Sequence, residues 1–150
     1  MCHRKCGKKN TVYVAYSSKI RVYTFFKSQP DRMCKKILIV DDSAVIRRNL
    51  KKFLLDRPGI GAVCEAHSVY STIQQFSTEH PDAVIVDIQL PDGTGFEILE
   101  YLALQQPRPF TVVLTNFPDR RNEERASALG VNHFLDKSFE YERLVELLTQ

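Results

Sequence analysis

The 150-residue sequence contains no run of about twenty apolar residues, no internal repeat and no low-complexity stretch. A helix needs about twenty apolar residues to cross a bilayer, so we expect no membrane span. The partly apolar stretch 12–26 is interrupted by Lys19 and Arg21 and has no small-residue cleavage site, so it does not match a signal peptide. A chain of this length is expected to form one domain with a substantial core.

Cysteine is scarce and unevenly placed, because three of the four cysteines fall within the first 34 residues. This pattern excludes the dense framework of a secreted disulfide-stapled domain. Cys2, His3 and Cys6 would form at most half of a zinc site, since no second ligand pair follows at zinc spacing. We therefore expect a reducing, cytoplasmic location.

Charge divides the chain into two parts. Residues 1–35 carry nine basic residues and one acid, whereas residues 36–150 carry twelve basic and seventeen acidic residues. The acidic part is not expected to bind nucleic acid directly. Residues 1–34 form a basic leader, either an arm for nucleic acid or anionic lipid or a segment outside the working domain. We favour the second interpretation, because Met33 directly precedes the start of the working domain, predicted over residues 35–150.

From residue 36 onward, short β-rich apolar runs alternate with segments of helical periodicity. The runs predict strands over 36–40, 62–66, 83–86, 110–114 and 131–135. Helices are predicted after Ser43 to about residue 55, and over 69–77, 96–104, 119–129 and 139–148, with a loop over 90–95. The alternation predicts an α/β fold with a five-stranded parallel sheet covered by helices on both faces. Because the last helix ends the sequence, no downstream output domain is expected.

Four of the strands deliver a polar residue where the strand ends. Asp41 and Asp42 follow the first strand, Asp87 the third, Thr115 the fourth and Lys137 the fifth. The carboxyl ends of parallel strands share one edge, which is where open α/β sheets bind ligands. A single aspartate, threonine or lysine at a strand end is usually a cap or a surface group. Their joint placement makes coincidence a poor explanation.

The chemistry of this set suits a divalent cation and a phosphoryl group. Adjacent carboxylates repel one another unless a cation lies between them, and Mg²⁺ favours oxygen ligands from one or two carboxylates. Asp87 can then act as a nucleophile towards phosphorus, since aspartyl phosphates are known covalent intermediates. Thr115 and Lys137 would contribute a hydroxyl and a positive charge to the phosphate oxygens.

The same residues carry a resemblance to a known family. The whole of residues 35–149 resembles the receiver domain of response regulators, the CheY-like superfamily of two-component signalling, in a stand-alone, single-domain form. The matching stretches are ILIVDD (37–42), VIVDIQLPDGTG (84–95), VVLTN (112–116) and FLDK (134–137). The resemblance implies the flavodoxin-like (βα)5 arrangement.

Further site roles follow from the resemblance. Asp87 would be the phosphoacceptor, supplied by a histidine kinase or a histidine phosphotransfer protein. Asp42 would ligate Mg²⁺ directly and Asp41 mostly through water, with Asp87 and the backbone carbonyl of Gln89 as further ligands. The protein would be a signalling phospho-acceptor rather than an enzyme, limited to its own phosphotransfer and autodephosphorylation.

The resemblance also implies a switch and a partner surface. Thr115 and Lys137 would hold the phosphate, and Phe134 would turn inward when Thr115 moves. An unidentified downstream protein would bind the face formed by the fourth helix, the fifth strand and the fifth helix. Ser138 departs from the family, which usually has a cis proline after the lysine, so Lys137 is expected to be held less firmly or by a different turn.

Two other functions remain open at this point. One is a receiver that binds its partner without phosphorylation. The other is a Mg²⁺-dependent phosphohydrolase with an aspartyl nucleophile on a similar sheet. The hydrolase is disfavoured because such enzymes use an acid pair spaced i, i+2, whereas Asp41 and Asp42 are adjacent and no cap insertion is present.

Overall fold

The computed structural model describes residues 34–149, together with the backbone of two short strands in the leader. These strands, β1 (Val12–Tyr16) and β2 (Lys19–Tyr23), pair antiparallel with Val12 opposite Tyr23. The other leader residues, including Cys2, His3 and Cys6, lie outside the described residues. The assignment of 1–34 to a separate leader therefore stays a prediction.

Residues 34–149 alternate between strands and helices, as predicted. The strands are β3 (Lys35–Val40), β4 (Ile60–Ala66), β5 (Ala83–Val86), β6 (Gln89–Leu90), β7 (Gly93–Thr94), β8 (Phe110–Thr115) and β9 (His133–Asp136). The helices are α1 (Ala44–Leu55), α2 (Val69–Glu79), α3 (Gly95–Ala103), α4 (Arg120–Ala128) and α5 (Tyr141–Thr149).

Five of these strands form one parallel sheet in the order β4-β3-β5-β8-β9. This is the flavodoxin-like arrangement, and it confirms the predicted fold class. The chain moves outward from β3 to β4, then crosses back to β5 on the other side of β3. The carboxyl ends of β3 and β5 are therefore neighbours at the point where the direction of winding reverses, which is where such sheets bind ligands.

The strands are apolar on both faces because helices cover both faces. Ile37 and Ile39 of β3 point into one layer, with α1 and α5, while Leu38 and Val40 point into the other. The second layer contains side chains of α2, α3 and α4, among them Phe76, Leu99 and Ala126. The side-chain alternation of β3 thus divides the core in two and fixes the register of the sheet.

Polar caps start the helices at the positions where the chain leaves the sheet. Ser43 accepts a hydrogen bond from the backbone N–H of Ile46, and Asp119 accepts one from Asn122. Ser68 and Ser71 form a reciprocal capping box at the start of α2. Ser43 is thus the N-cap of the helix that is predicted to follow it.

The predicted loop over 90–95 differs from the structure in one respect. Gln89 pairs with Thr94 and Leu90 with Gly93, so β6 and β7 form a two-residue antiparallel ladder around Pro91 and Asp92. The turn itself was predicted from composition. The ladder was not, because two residues on each side are too few to show strand periodicity.

Candidate functional site

The three predicted carboxylates meet at the carboxyl edge of the sheet. Asp41 follows β3 and Asp87 follows the neighbouring β5, where the backbone N–H of Asp87 donates to the carbonyl of Val40 at 2.9 Å. One oxygen from each of Asp41, Asp42 and Asp87 lies within 4.8 Å of the others. Asp41 is 2% and Asp87 6% exposed, whereas Asp42 is exposed to solvent. The cluster thus combines two buried acids with one exposed acid.

Lys137 places its ammonium group between the two buried acids. Its Nζ lies 2.7 Å from Asp41 Oδ2 and also makes a short contact with Asp87 Oδ2. The backbone N–H of Lys137 donates to the carbonyl of Thr115 at 2.9 Å, which ties the turn after β9 to the end of β8. Lys137 is only 4% exposed, so its charge is held inside the site.

The burial of these charges shifts their protonation. Burial raises the pKa of the Asp87 carboxyl, against the opposing effect of the Lys137 ammonium. Burial disfavours the charged form of Lys137, but its hydrogen bonds to Asp41 and Asp87 outweigh this, and its pKa is raised. The Lys137 side chain is therefore a cation at neutral pH, since its pKa is raised.

The predicted switch residues occupy the two neighbouring strands. Thr115 is the last residue of β8 and is fully buried, and its Oγ1 accepts the backbone N–H of Phe117 at 3.2 Å. Phe134, in β9, is half-buried and packs against the layer formed by α2, α3 and α4. Thr115 lies at the end of the strand that it was predicted to follow, and Phe134 lies in the strand in which it was predicted. The linked movement of the two side chains stays a prediction.

Gln89 and Gly95 border the site from the loop after β5. The backbone of Gln89 hydrogen-bonds to the Asp87 carboxylate, while its side chain is exposed. Gly95 donates its N–H to the carbonyl of Ile88 at 2.7 Å, and α3 begins directly against the backbone of Asp87. A side chain at Gly95 would collide with that backbone, so the close approach requires glycine.

The turn after β9 explains how Lys137 is held without a proline. The peptide bond between Lys137 and Ser138 is trans; within the described residues the cis bond is at Gln106–Pro107. Asp136 organises the turn, since its Oδ1 accepts the N–H of Ser138 at 2.7 Å and its own N–H donates to Glu140 Oε2 at 2.8 Å. A different turn, one of the two expected outcomes, is what the structure contains.

The sequence analysis did not predict one residue that contacts the site. Arg47, in the first turns of α1, donates from its guanidinium group to the backbone carbonyls of Asp41 and Asp42. Its position five residues after Asp42 on a helix starting at the site was the available signal, because a long side chain there reaches back towards the preceding strand.

The donor set fits a hard divalent cation. Three carboxylates face one ammonium group, which leaves a net negative site of oxygen ligands of the kind Mg²⁺ favours. Among the His, Cys, Asp and Glu side chains of residues 34–149, those of Asp41, Asp42 and Asp87 form the one group that is close enough together to hold a metal ion. A shallow cleft of about 620 Å³ opens beside Asp42, between the 89–94 loop and residues Asn122 and Arg125 of α4.

Comparison with known proteins agrees with this geometry. The protein-family profile of the response regulator receiver domain matches residues 37–149, so the chain belongs to that family. Phosphoaspartate formation and Mg²⁺ binding at an acidic pocket are typical of the family, which serves two-component signalling.

Individual relatives show the same likeness. The sensory transduction protein LytT of Enterococcus faecalis is 28% identical over 112 residues, which are 75% of this chain and 46% of LytT. A CheY-like receiver domain protein from Methanospirillum hungatei superposes with a TM-score of 0.70 at 25% identity, covering 76% of this chain and 90% of the other. A Burkholderia pseudomallei response regulator, solved with a phosphorylated aspartic acid, calcium ion and citrate, gives 0.69 at 26% identity, over 77% of this chain and 66% of the other.

The matches cover a larger share of this chain than of the curated relatives. This chain spans between about a fifth and a half of the length of the curated relatives it matches. Among the described residues, no helix combines the length and apolar character that crossing a membrane requires.

Proposed function

We propose that this protein is a phospho-accepting response regulator that receives a phosphoryl group on Asp87. The observation that carries the proposal is the buried Asp87 carboxylate, which lies beside Asp41, Asp42 and the Lys137 ammonium at the carboxyl edge of the sheet. In the reaction, an oxygen of Asp87 bonds to phosphorus as the bond from phosphorus to the donor breaks. With a protein donor the leaving group is a histidine nitrogen of a kinase or phosphotransfer protein.

The cation would be held by the carboxylates of Asp42 and Asp87, by Asp41 through water, and by the Gln89 carbonyl. When bound, Mg²⁺ would offset the repulsion between the Asp87 carboxylate and the incoming phosphoryl group.

The chain's own residues would perform the remaining steps. Lys137 now pairs with both Asp41 and Asp87 and would exchange part of this contact for a phosphate oxygen, to which an ammonium group binds well. The Thr115 hydroxyl would donate to another phosphate oxygen. Because Thr115 Oγ1 also accepts the N–H of Phe117, movement of Thr115 towards the phosphate would draw the β8–α4 loop inward. Phe134 would then repack against the layer of α2, α3 and α4.

A downstream protein would bind the face formed by α4, β9 and α5 and so respond to this conformational change. The support for this surface is the composition of α4, where Arg120, Arg121, Glu123, Glu124 and Arg125 are all exposed. Such a helix offers charge complementarity to a partner, which favours specificity and fast association. A cytoplasmic location forms part of the same proposal.

The experiment is phosphorylation of the full chain with acetyl phosphate, followed by intact mass, with and without Mg²⁺. We expect one added phosphoryl group that requires Mg²⁺ and is absent from Asp87→Asn. Asp56→Asn is the matched control, because Asp56 is an exposed residue at the far end of α1 and its loss should leave labelling unchanged. Labelling that survives in Asp87→Asn would reject Asp87 as the acceptor. If the wild-type chain is not labelled at all, a phosphorylation-independent adaptor becomes the better reading.

A further inference from the structure

The turn that carries the acid pair is held by few contacts from its own residues. The backbone N–H of Asp41 donates to the carbonyl of Ala66 at 3.2 Å, and Asp41 Oδ1 accepts the N–H of Ser43 at 2.8 Å. These bonds fix the start and the end of the turn. They leave the carbonyls of Asp41 and Asp42, and with them the orientation of the exposed Asp42, to be fixed by something else.

Arg47 binds both of these carbonyls. One guanidinium nitrogen, Nη1, donates to the carbonyl oxygen of Asp41 at 2.6 Å and to that of Asp42 at 3.0 Å. The Arg47 side chain is 15% exposed. Its bond to the Asp41 carbonyl is partly buried, whereas its bond to the Asp42 carbonyl is exposed. Since rotation of a peptide carbonyl turns the residues on either side, holding both carbonyls restricts the direction of the Cα–Cβ bonds that carry the two carboxylates.

The guanidinium group is itself held from behind. Its Nε lies 3.7 Å from Glu65 Oε2 on β4, and the other oxygen of Glu65 contacts Lys51 Nζ at 2.6 Å. Guanidinium is a planar, rigid fork, so an anchor on one nitrogen orients the others. Glu65, Arg47 and the acid-pair turn thus form one connected support that runs from β4 to the cation site.

We propose that Arg47 is a positioning residue for the divalent-cation site: by holding the carbonyls of Asp41 and Asp42, it aims their carboxylates at the space beside Asp87. The inference rests on the proposed function, since it concerns the cation that phosphorylation of Asp87 would use. Groups that orient metal ligands in this way typically change metal affinity by about 10–100-fold when they are removed.

The direction in which Mg²⁺ affinity changes when Arg47 is replaced distinguishes the positioning role from a purely electrostatic one. Arg47 is a cation close to the acidic cluster, so as a charge alone it repels Mg²⁺, and removing it would strengthen binding. As a positioning group it organises the ligands, and removing it weakens binding. The two roles therefore predict opposite changes in the same measurement.

The two common divalent cations give a second distinction. Mg²⁺ demands near-ideal octahedral geometry at about 2.0–2.1 Å, whereas Ca²⁺ accepts variable geometry and more ligands. A turn that is no longer held should therefore lose more affinity for Mg²⁺ than for Ca²⁺. A general loss of folded protein would lower both in proportion.

The test is calorimetric titration of the full chain with MgCl₂ and with CaCl₂, in wild type, Arg47→Met and Arg47→Lys. Lys51→Met is the matched control, because it removes one cation from the same Glu65 carboxylate but no bond to the acid-pair turn. We expect Arg47→Met to weaken Mg²⁺ binding about tenfold and Ca²⁺ binding less. Lys51→Met should bind Mg²⁺ as wild type does, or slightly more tightly.

Several outcomes would overturn the proposal. Unchanged or tighter Mg²⁺ binding by Arg47→Met would show that Arg47 acts as a charge or not at all. An equal loss in Lys51→Met would assign the effect to the Glu65 network as a whole. Should Arg47→Met not fold, Arg47→Lys decides. It keeps the charge but lacks the planar fork, so its Mg²⁺ affinity must fall, and an unchanged affinity refutes the positioning role. A wild-type chain that binds no Mg²⁺ refutes the cation site itself, and so separates failure of the proposed function from failure of Arg47.

Discussion

The contact between Gly95 and the backbone of Asp87 gives the sharpest prediction about the site. A Cβ atom at Gly95 would lie 3.0 Å from the carbonyl carbon of Asp87 and from the Cα of Ile88, and closer still to the Asp87 carbonyl oxygen. All of these are backbone atoms that cannot rotate away. Gly95→Ala should therefore push α3 and the acceptor residue apart.

The magnitude follows from two opposing effects. Alanine favours a helix over glycine by about 0.5–1 kcal/mol, so local propensity alone predicts that Gly95→Ala stabilises the protein. Overpacking costs about 1–3 kcal/mol, and carbons 3.0 Å apart must separate by at least about 0.5 Å to reach an ordinary contact. We expect a net loss of about 1–2 kcal/mol in the free energy of unfolding. Since a misplacement of about 1 Å can cost on the order of a hundredfold in rate, we expect labelling by acetyl phosphate to slow roughly tenfold.

The assay is urea unfolding followed by circular dichroism, with the labelling rate measured on the same samples. Gly93→Ala is the control in the same loop, because its Cβ would meet side-chain atoms, Glu97 Oε1 at 2.7 Å and Val69 Cγ2 at 3.1 Å, and not the backbone of the acceptor residue. It should lose less stability than Gly95→Ala, mainly through the bond from the Thr94 N–H to Glu97, and keep its labelling rate. A Gly95→Ala variant that is as stable as wild type and labelled at the wild-type rate would refute the close-approach argument.

Two further predictions concern charged groups. Lys137→Met leaves Asp41 and Asp87 without their buried cation, so in Mg²⁺-free buffer we expect a loss of about 3–5 kcal/mol in the free energy of unfolding. Saturating Mg²⁺ should restore part of this stability. Urea unfolding curves of the variant that do not respond to Mg²⁺ would contradict this prediction. Asp92 accepts the backbone N–H groups of Tyr70 and Val69 at the start of α2, and these bonds lower its pKa from 3.8. Its contribution to stability is therefore present above pH 3.8 and lost as the pH falls through the lowered pKa of the folded state. Asp92→Asn should be less stable than wild type at pH 7, and the difference should shrink in acid; a difference independent of pH would mean that the carboxylate charge is not responsible.

The parallel sheet and the position of the site could be predicted because both depend on short-range patterns, whereas the flavodoxin-like arrangement was implied only by the family resemblance. Continuous apolar runs such as 37–40 and 83–86 indicated buried parallel strands, and polar residues directly after them had to share an edge. Asp41 and Asp87 lie together for that reason and because β3 and β5 are neighbours in the sheet. Thr115 and Lys137 were predicted at the same edge by the same argument.

The supporting contacts could not be predicted, because they depend on how elements are placed against one another. Whether Arg47 reaches the carbonyls of Asp41 and Asp42 depends on the angle of α1 to the sheet and on Glu65 in β4. The ion pairs of Lys137 depend on the turn formed by Asp136 and Glu140. Ser138 indicated from sequence that Lys137 would be held less firmly or by a different turn, but not which residues would build such a turn.

The sparse anchoring of α4 has a consequence for how such a protein can change over evolutionary time. Of its nine residues, Ala126 is the one whose side chain is buried, while Arg125 stacks on Phe96 and pairs with Glu100. Exposed substitutions usually alter stability by no more than about 0.5 kcal/mol. Most residues of α4 can therefore be substituted with little change in the stability of the fold, whereas the residues at the phosphoacceptor edge tolerate few substitutions. A duplicated copy of this protein could acquire a new partner through α4 while keeping the same chemistry.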